Sequence, residues 1–316
     1  MYWKSKQLDP SALISIERRD DILREFAAMN ASGKVVICGG ESLLDPDRYF
    51  AVAATCGELG LGCLSVINGT KVTTQETADR MVTQGPGEIT VSINSHLAEI
   101  HDATRGVPGS FALAIKALRL LLEARSRHQS ATKIFVMAVI CELNYRDLDP
   151  FYDLVLNTLG ADKLKLNFLQ PTFGPPTLWY QDCFFSENVI RDEEALARII
   201  LACDGKYGLR INPVWLEQVK MYHRSIRTNG WRRLGWRRGS GTEAHICNSY
   251  ERNIMVDLRG RARLCFYPGF PSFQLLRTGD LRRFWEGCEP LRRRMRRCNR
   301  YCAISHSVRK ASATLR

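Results

Sequence analysis

The chain has 316 residues, 45% of them hydrophobic, with eleven cysteines and a formal net charge of +12. That is enough apolar content for a real core in one large domain or two ordinary ones. No apolar run approaches the ~18 residues of a membrane span, which excludes a spanning helix from the reading.

MYWKSKQLDP carries no signal-peptide core, so a cytoplasmic, reducing location is expected. A disulfide framework is then disfavoured, and a spaced subset of the cysteines points to metal or cluster ligation. The charge is uneven. Residues 217–316 hold 23 Lys and Arg against 7 Asp and Glu, whereas residues 1–216 hold 22 against 26. The break predicts a domain boundary near 215.

In chain order, a helix over about 11–30 comes first. Five strand–helix units follow. KVVIC (34–38) pairs with a helix over 45–60, CLSVI (63–67) with 73–85, and EITVSI (88–93) with 110–124. KIFVMAVIC (133–141) then pairs with 149–160, and KLKLNFLQP (163–171) with 193–205. Strands alternating with helices of this size predict βαβ units and a parallel sheet. The continuous apolar strands predict burial on both faces. A helix that opens the chain with no strand before it leaves KVVIC at an edge.

Each predicted strand ends in polar residues. They are Gly39, Gly40 and Glu41; then Asn68, Gly69 and Thr70; then Ser92, Asn94 and Ser95, with His101, Asp102, Arg105 and Gly106 beyond. Glu142 and Asn144 follow the fourth strand, and Gln170 the fifth. Turn chemistry accounts for any one of them. In a barrel or open α/β sheet, however, these ends share the side on which active sites are built.

The stretches CGGESLLDP, INGTKVT, VSINS with HDATRGVPGSF, the strand ending in ELN, and LNFLQP resemble the radical S-adenosylmethionine (radical SAM) enzymes over about residues 1–210. The resemblance implies an α/β fold, a partial (β/α)6 TIM-like barrel that binds S-adenosylmethionine against a [4Fe-4S] cluster. Gly39, Gly40 and Glu41 match the family's GGE motif, which receives the methionine amino group. Glycines let backbone carbonyls approach, and a carboxylate pairs with an ammonium. Ser92, Asn94 and Arg105 match positions that touch the ribose or carboxylate, and Asn144 matches a polar site on the next strand.

Ser42 stands where the family has proline, and Ile67 where it has threonine. The family's CxxxCxxC loop, whose thiolates hold the catalytic cluster, is absent from these 316 residues. Cys38, Cys56 and Cys63 have the wrong spacing and read as structural, as do Cys141, Cys183 and Cys203. The resemblance places the triplet upstream of Met1, with the barrel's first strand. Met1 is therefore expected to be internal to a longer reading frame, and the chain as given to lack S-adenosylmethionine cleavage. The competing expectation is a degenerate, non-catalytic relative.

Behind the barrel, Cys247, Cys265, Cys298 and Cys302 form a spaced set with Gly260 between the first two. Four thiolates suit a [4Fe-4S] cluster or a tetrahedral zinc. The pattern resembles the SPASM or twitch extension of radical SAM enzymes, a small α+β domain with an auxiliary [4Fe-4S] cluster, although CNRYC is one residue longer than the usual closing pair. Cys288 reads as a packing residue. The expected domains are thus 1–215, the barrel, and 216–316, the Arg-rich cluster domain.

WRRLGWRRGSG (231–241) mixes cations with tryptophans, and LRRRMRRCNR (291–300) is a second run of cations. Such a patch suits a solvated face, an acidic peptide or nucleic acid. The expected partners are a peptide or protein substrate and an electron donor such as flavodoxin or ferredoxin. The alternative is a scaffold that binds RNA or an acidic partner.

Overall fold

The structure is a computed structural model that describes residues 13–170, 183–229, 249–265 and 270–296. Two compact units make up the chain. One comprises Ser15–Ile140 and Asp147–Leu166; the other comprises Met1–Ile14, Cys141–Arg146 and Asn167–Arg316.

Five strands, β1 (Lys34–Ile37), β2 (Gly62–Ile67), β3 (Glu88–Ser92), β4 (Lys133–Ile140) and β5 (Lys163–Phe168), form one sheet in sequence order. β1 through β4 pair in parallel, with Val36 opposite Leu64, Val66 opposite Thr90, and Ser92 opposite Met137. Helices α1 (Ile16–Met29), α2 (Pro46–Glu58), α3 (Gln75–Gln84), α4 (Ala98–Arg105) and α5 (Ser110–Arg127) belong to the same unit. Each predicted strand–helix pair up to β5 is present, and the mixed α/β class with a parallel sheet is as expected.

Local chemistry explains the helix starts. Asp45 caps α2 through the Arg48 N–H at 3.1 Å, with Pro46 at the first helical position. Thr74 caps α3 in the same way. On α5, Ala114, Ala117, Leu118, Leu121 and Ala124 are fully buried, one apolar stripe at helical spacing. Gly69 sits against this stripe with φ of +84°, and a Cβ there would lie 3.1 Å from Ala114 and Ala117. Close packing on α5, as well as turn conformation, therefore demands that glycine.

The predicted two-sided burial holds at β3, where Ile89, Thr90 and Val91 are all buried, and is corrected at β1, β2 and β4. Ile134, Val136, Ala138 and Ile140 of β4 are buried, while Phe135, Met137 and Val139 on the opposite face are half-exposed. On β2 the same register leaves Leu64 and Val66 half-exposed, and Val36 on β1 is 53% exposed. The helices seal one face, and the other is partly open, as the concave side of a partial barrel would be. Cys38, expected in or beside the core, is exposed.

The sealed face carries one polar strut. Tyr49 of α2 donates to the Ser65 hydroxyl of β2 at 2.8 Å, with both residues buried. Tyr49→Phe should cost about 1–3 kcal/mol, because the Ser65 hydroxyl loses its one hydrogen-bond partner among the described residues, away from water. Adding Ser65→Ala should recover part of that loss. Urea denaturation of the two single variants and the double variant would measure the coupling, and strictly additive losses would contradict it.

After a turn over 141–146 in the second unit, helix α6 (Leu148–Tyr152) lies in the first unit, and α7 (Cys183–Asn188), α8 (Glu193–Tyr207) and α9 (Pro213–Asn229) lie in the second. The helix predicted over 149–160 is α6 continued by a π-turn over Asp153–Thr158. Beyond them come α10 (Ser249–Arg252) and a small antiparallel sheet of β6 (Met255–Val256), β7 (Arg261–Arg263) and β8 (Phe273–Gln274). The basic stretch near the end forms two helices, α11 (Asp280–Gly287) and α12 (Glu289–Arg296), that meet at Cys288. Pro290 lacks the N–H that a continuous helix would use, which suits the break. Cys288 is buried, as a packing residue should be.

Candidate functional site

The site is built at the carboxyl ends of β1, β2 and β3. Just past β1, Glu41 uses both carboxylate oxygens. Oε1 accepts the Leu43 N–H at 3.0 Å, and Oε2 accepts the Asn68 N–H at 2.9 Å. One carboxylate thereby ties the end of β1 to the end of β2. Each oxygen still has a lone pair for a further donor.

Gly39 and Gly40 precede it and are exposed. A Cβ built on either meets no atom within 4 Å, so packing inside the protein gives no reason for glycine at these two positions. Gly39 has φ of +156°, a conformation that L side chains rarely adopt. The pair presents bare backbone to open space.

Ser92 ends β3, half-buried, and its hydroxyl makes no hydrogen bond among the described residues. Asn94 is 3% exposed and fully engaged. Its Nδ2 donates to Thr104 Oγ1 at 2.9 Å, its Oδ1 accepts the Val139 N–H at 3.0 Å, and its own N–H donates to His101 Nδ1 at 3.0 Å. Asn94 thus braces β3 against α4 and β4.

His101 is buried, and burial first, then the neighbouring Arg105 charge, lower its pKa to about 4. The ring is neutral at pH 7, and its Nδ1 is the acceptor that the Asn94 N–H needs. Asp102 accepts from the Gly109 N–H, the Ser110 hydroxyl and the Phe111 N–H at 2.6, 2.9 and 2.8 Å, which anchors the start of α5. These bonds hold its carboxyl below the usual range, the Phe111 N–H most of all.

Arg105 is the last residue of α4, ahead of the left-handed Gly106. Its guanidinium makes no hydrogen bond or ion pair among the described residues. Burial lowers its pKa, and the negative charge of Glu41 pulls it back up. A carboxylate and a guanidinium without an acceptor therefore sense one another across the strand ends. That pairing matches a zwitterion, with an ammonium for Glu41 and a carboxylate for Arg105. Open space at two glycines and the free Ser92 hydroxyl fit the same ligand.

Asn144 lies in the other unit, where its Oδ1 accepts the Cys141 N–H at 2.8 Å. Of the expected auxiliary ligands, Cys265 lies just after β7, while Cys247, Cys298 and Cys302 lie outside the described residues. Among the described residues no group of three or more His, Cys, Asp and Glu side chains is placed to hold a metal ion. The tryptophan-arginine stretch 231–241 also lies outside them. No helix among the described residues is long and apolar enough to cross a membrane.

Residues 2–155 match the family model described as the radical SAM superfamily. Residues 2–155 of this chain are thus a radical SAM domain. The radical SAM match contains β1 to β4 and all of the site residues above except those of the auxiliary set.

Among curated proteins, the chain is 30% identical over 165 residues to the AdoMet-dependent heme synthase of Methanosarcina barkeri, covering 52% of this chain and 44% of that protein. It is 31% identical over 176 residues to the mycofactocin maturase MftC of Mycobacterium tuberculosis, covering 55% and 42%. The radical SAM chain thus spans less than half the length of these relatives.

Among solved structures, Streptococcus suis SuiB bound to the precursor peptide SuiA superposes with a TM-score of 0.58 at 12% identity, covering 93% of this chain and 61% of that one. Native anSMEcpe with bound AdoMet and a Cp18Cys peptide gives 0.54 at 13% identity, covering 84% and 69%. At such identities the likeness establishes the fold.

Two features escaped the sequence reading. His101 and Asp102 were noted as polar residues without a role, and they prove to hold Asn94 and α5 in place. His96 keeps a buried Nδ1 with no hydrogen-bond partner just beyond Asn94. No spacing or composition signal marks it.

Proposed function

We propose that this radical SAM chain binds the amino-acid end of S-adenosylmethionine between Glu41 and Arg105. We further propose that the protein uses the cofactor to modify a peptide or protein substrate. The observation that carries the reading is the carboxylate of Glu41 beside the half-buried Arg105 guanidinium, which has no hydrogen-bond or ion-pair partner among the described residues. Glu41 receives the ammonium and Arg105 the carboxylate. Gly39 and Gly40 leave their backbone open to the same group, and the Ser92 hydroxyl is free for the ribose. Asn94 and Asn144, both engaged by backbone, shape the loops.

Glu41 and Arg105 would hold S-adenosylmethionine by its amino-acid end, and the cofactor, bound to a [4Fe-4S] cluster and supplied with electrons by a flavodoxin- or ferredoxin-type donor, would supply radical chemistry toward the substrate. The peptide reading draws on relatives: a mycofactocin maturase, SuiB with a precursor peptide and anSMEcpe with peptides. The 316 residues contain no CxxxCxxC, so the ligands of the catalytic cluster are not among them. Cys247, Cys265, Cys298 and Cys302 would hold an auxiliary cluster.

Anaerobic reconstitution followed by iron and sulfide analysis tests this directly. About four irons per chain are expected, the content of one [4Fe-4S] cluster. S-adenosylmethionine should bind, and no 5′-deoxyadenosine should form under reductant. Its formation would overturn the assignment of the missing ligands. A chain that took up neither iron nor S-adenosylmethionine would be the non-catalytic scaffold instead.

A further inference from the structure

The site continues onto the partly open face of the sheet, and strand register fixes which side chains come next. Ser92, whose hydroxyl makes no hydrogen bond among the described residues, is the Cα partner of Met137 on β4. Such partners lie about 4.8 Å apart and turn their side chains to the same face. The Ile93 N–H donates to the Met137 carbonyl at 3.0 Å, and Asn94 Oδ1 accepts the Val139 N–H at 3.0 Å. Strand β4 is thereby locked to the end of β3 at the level of the site.

From that level toward the strand starts, the face is apolar. Phe135, Met137 and Val139 of β4 and Leu64 and Val66 of β2 are half-exposed, and Val36 of β1 is 53% exposed. The pairs Val36–Leu64, Leu64–Glu88, Val66–Thr90 and Thr90–Phe135 set them on one continuous surface. Thr90, the polar residue among them, is 1% exposed and adds nothing to that surface.

Charge returns only at the far end. Lys34, Glu88 and Lys133 are the first residues of β1, β3 and β4. Lys165 of β5 reaches over the face, but it pairs with Glu88, and its ammonium lies 4.1 Å from the centre of the Phe135 ring. The one charge turned inward is therefore already neutralised. Between Ser92 and Glu88 lie about 13 Å of strand, room for a large side chain.

Resting on the reading of a peptide substrate beside S-adenosylmethionine, we propose that this strip receives the side chain to be modified. That side chain is apolar, aliphatic or aromatic, and Met137 and Val66 select it. A substrate of the cofactor must lie next to the cofactor, and the surface that continues from Ser92 is this one. Covering it with carbon removes apolar area from water, whereas a carboxylate or ammonium laid on it would lose water and find no counter-ion. The flexible thioether of Met137 adapts to branched and flat side chains alike. The specificity is thus written by polarity first and by shape second.

The full chain, isotopically labelled at its methionine methyl groups, is titrated with N-acetyl-leucinamide and N-acetyl-phenylalaninamide. The charged probes are the α-amides of N-acetyl-glutamate and N-acetyl-lysine, and each titration is run with and without S-adenosylmethionine. The Met137 methyl resonance, identified by its loss in Met137→Leu, is followed by NMR. It should shift and saturate with both apolar probes and respond at least about tenfold more weakly to the charged ones. Val66→Glu should abolish the apolar shifts; should that variant not fold, the four probes on the wild type decide. An equal response to charged and apolar probes would overturn the proposal, as would apolar shifts that survive Val66→Glu. Calorimetry with S-adenosylmethionine separates the two readings. Cofactor binding with no Met137 shift on either apolar probe would sink the strip alone. Apolar shifts without cofactor binding would sink the cofactor reading and leave the strip standing.

Discussion

Arg105→Ala is expected to weaken S-adenosylmethionine binding by about ten- to a hundredfold, the worth of a charge-assisted hydrogen bond of about 1.5–3 kcal/mol. The guanidinium has no hydrogen-bond or ion-pair partner among the described residues, and burial disfavours its charge. Its removal therefore breaks no hydrogen bond or ion pair among the described residues, and the melting temperature should not fall. Arg105→Lys should lie between wild type and Ala, since an ammonium keeps the charge and loses the two-pronged geometry.

Glu41→Gln behaves differently. Its carboxylate accepts from both Leu43 and Asn68, and an amide has one acceptor oxygen, so one backbone N–H is stranded. Both affinity and stability should drop. Calorimetric titration with S-adenosylmethionine, beside a thermal melt of each variant, reads both quantities. Wild-type affinity in Arg105→Ala would remove Arg105 from the site.

Acid is expected to unfold the protein earlier than its carboxylates alone predict. His101 and His223 are each 1% exposed, and burial, the leading cause in both, lowers their pKa to about 4 from an ordinary 6.5. Both rings are neutral when folded. His101 uses that neutrality, through Nδ1, to hold the Asn94 N–H. His223 has neither nitrogen hydrogen-bonded among the described residues and lies against Phe168 and Tyr222.

Because the folded pKa lies below the unfolded one, the unfolded chain binds protons first as the pH falls. Stability is intact above pH 6.5, declines between about 6.5 and 4, and levels off for these groups below that. At about 1.4 kcal/mol per pH unit, each histidine contributes roughly 3 kcal/mol across the window. The sum is a large share of an ordinary stability of about 5–15 kcal/mol. Urea midpoints measured from pH 7.5 to 4.5 would show the slope. His223→Phe should remove about half of it and stabilise the protein at pH 7, since it deletes two unpaired buried nitrogens. An unchanged slope in that variant would exclude His223 as a source.

The fold was largely legible in the sequence because its signals are local. β-branched runs, the Asp45-Pro46 start of α2 and the apolar stripe of α5 each carry their own propensity. α4 and α9 went unmarked. α4 is short and polar-faced, and its Leu97 start has no side-chain cap to announce it.

The site was legible by residue more than by role. Glu41 was expected as a ligand group, and it is also a clasp between two strand ends. Asn94 was expected at the ligand, and three hydrogen bonds commit it to the scaffold. Side chains that share a strand end differ in whether backbone N–H groups from distant segments reach them first, and a motif cannot record that.

Sequence alone determined that this chain alternates strand and helix, gathers polar residues at its strand ends, turns basic after residue 216 and contains no CxxxCxxC. Those properties reside in single residues and their spacing. Only the tertiary structure decided that one sheet face stays partly open, that Arg105 has no hydrogen-bond or ion-pair partner among the described residues, and that Glu41 clasps two strand ends. Each of these depends on which long-range neighbours fill a residue's hydrogen bonds and exclude water from it, and that competition is settled only when the chain is packed.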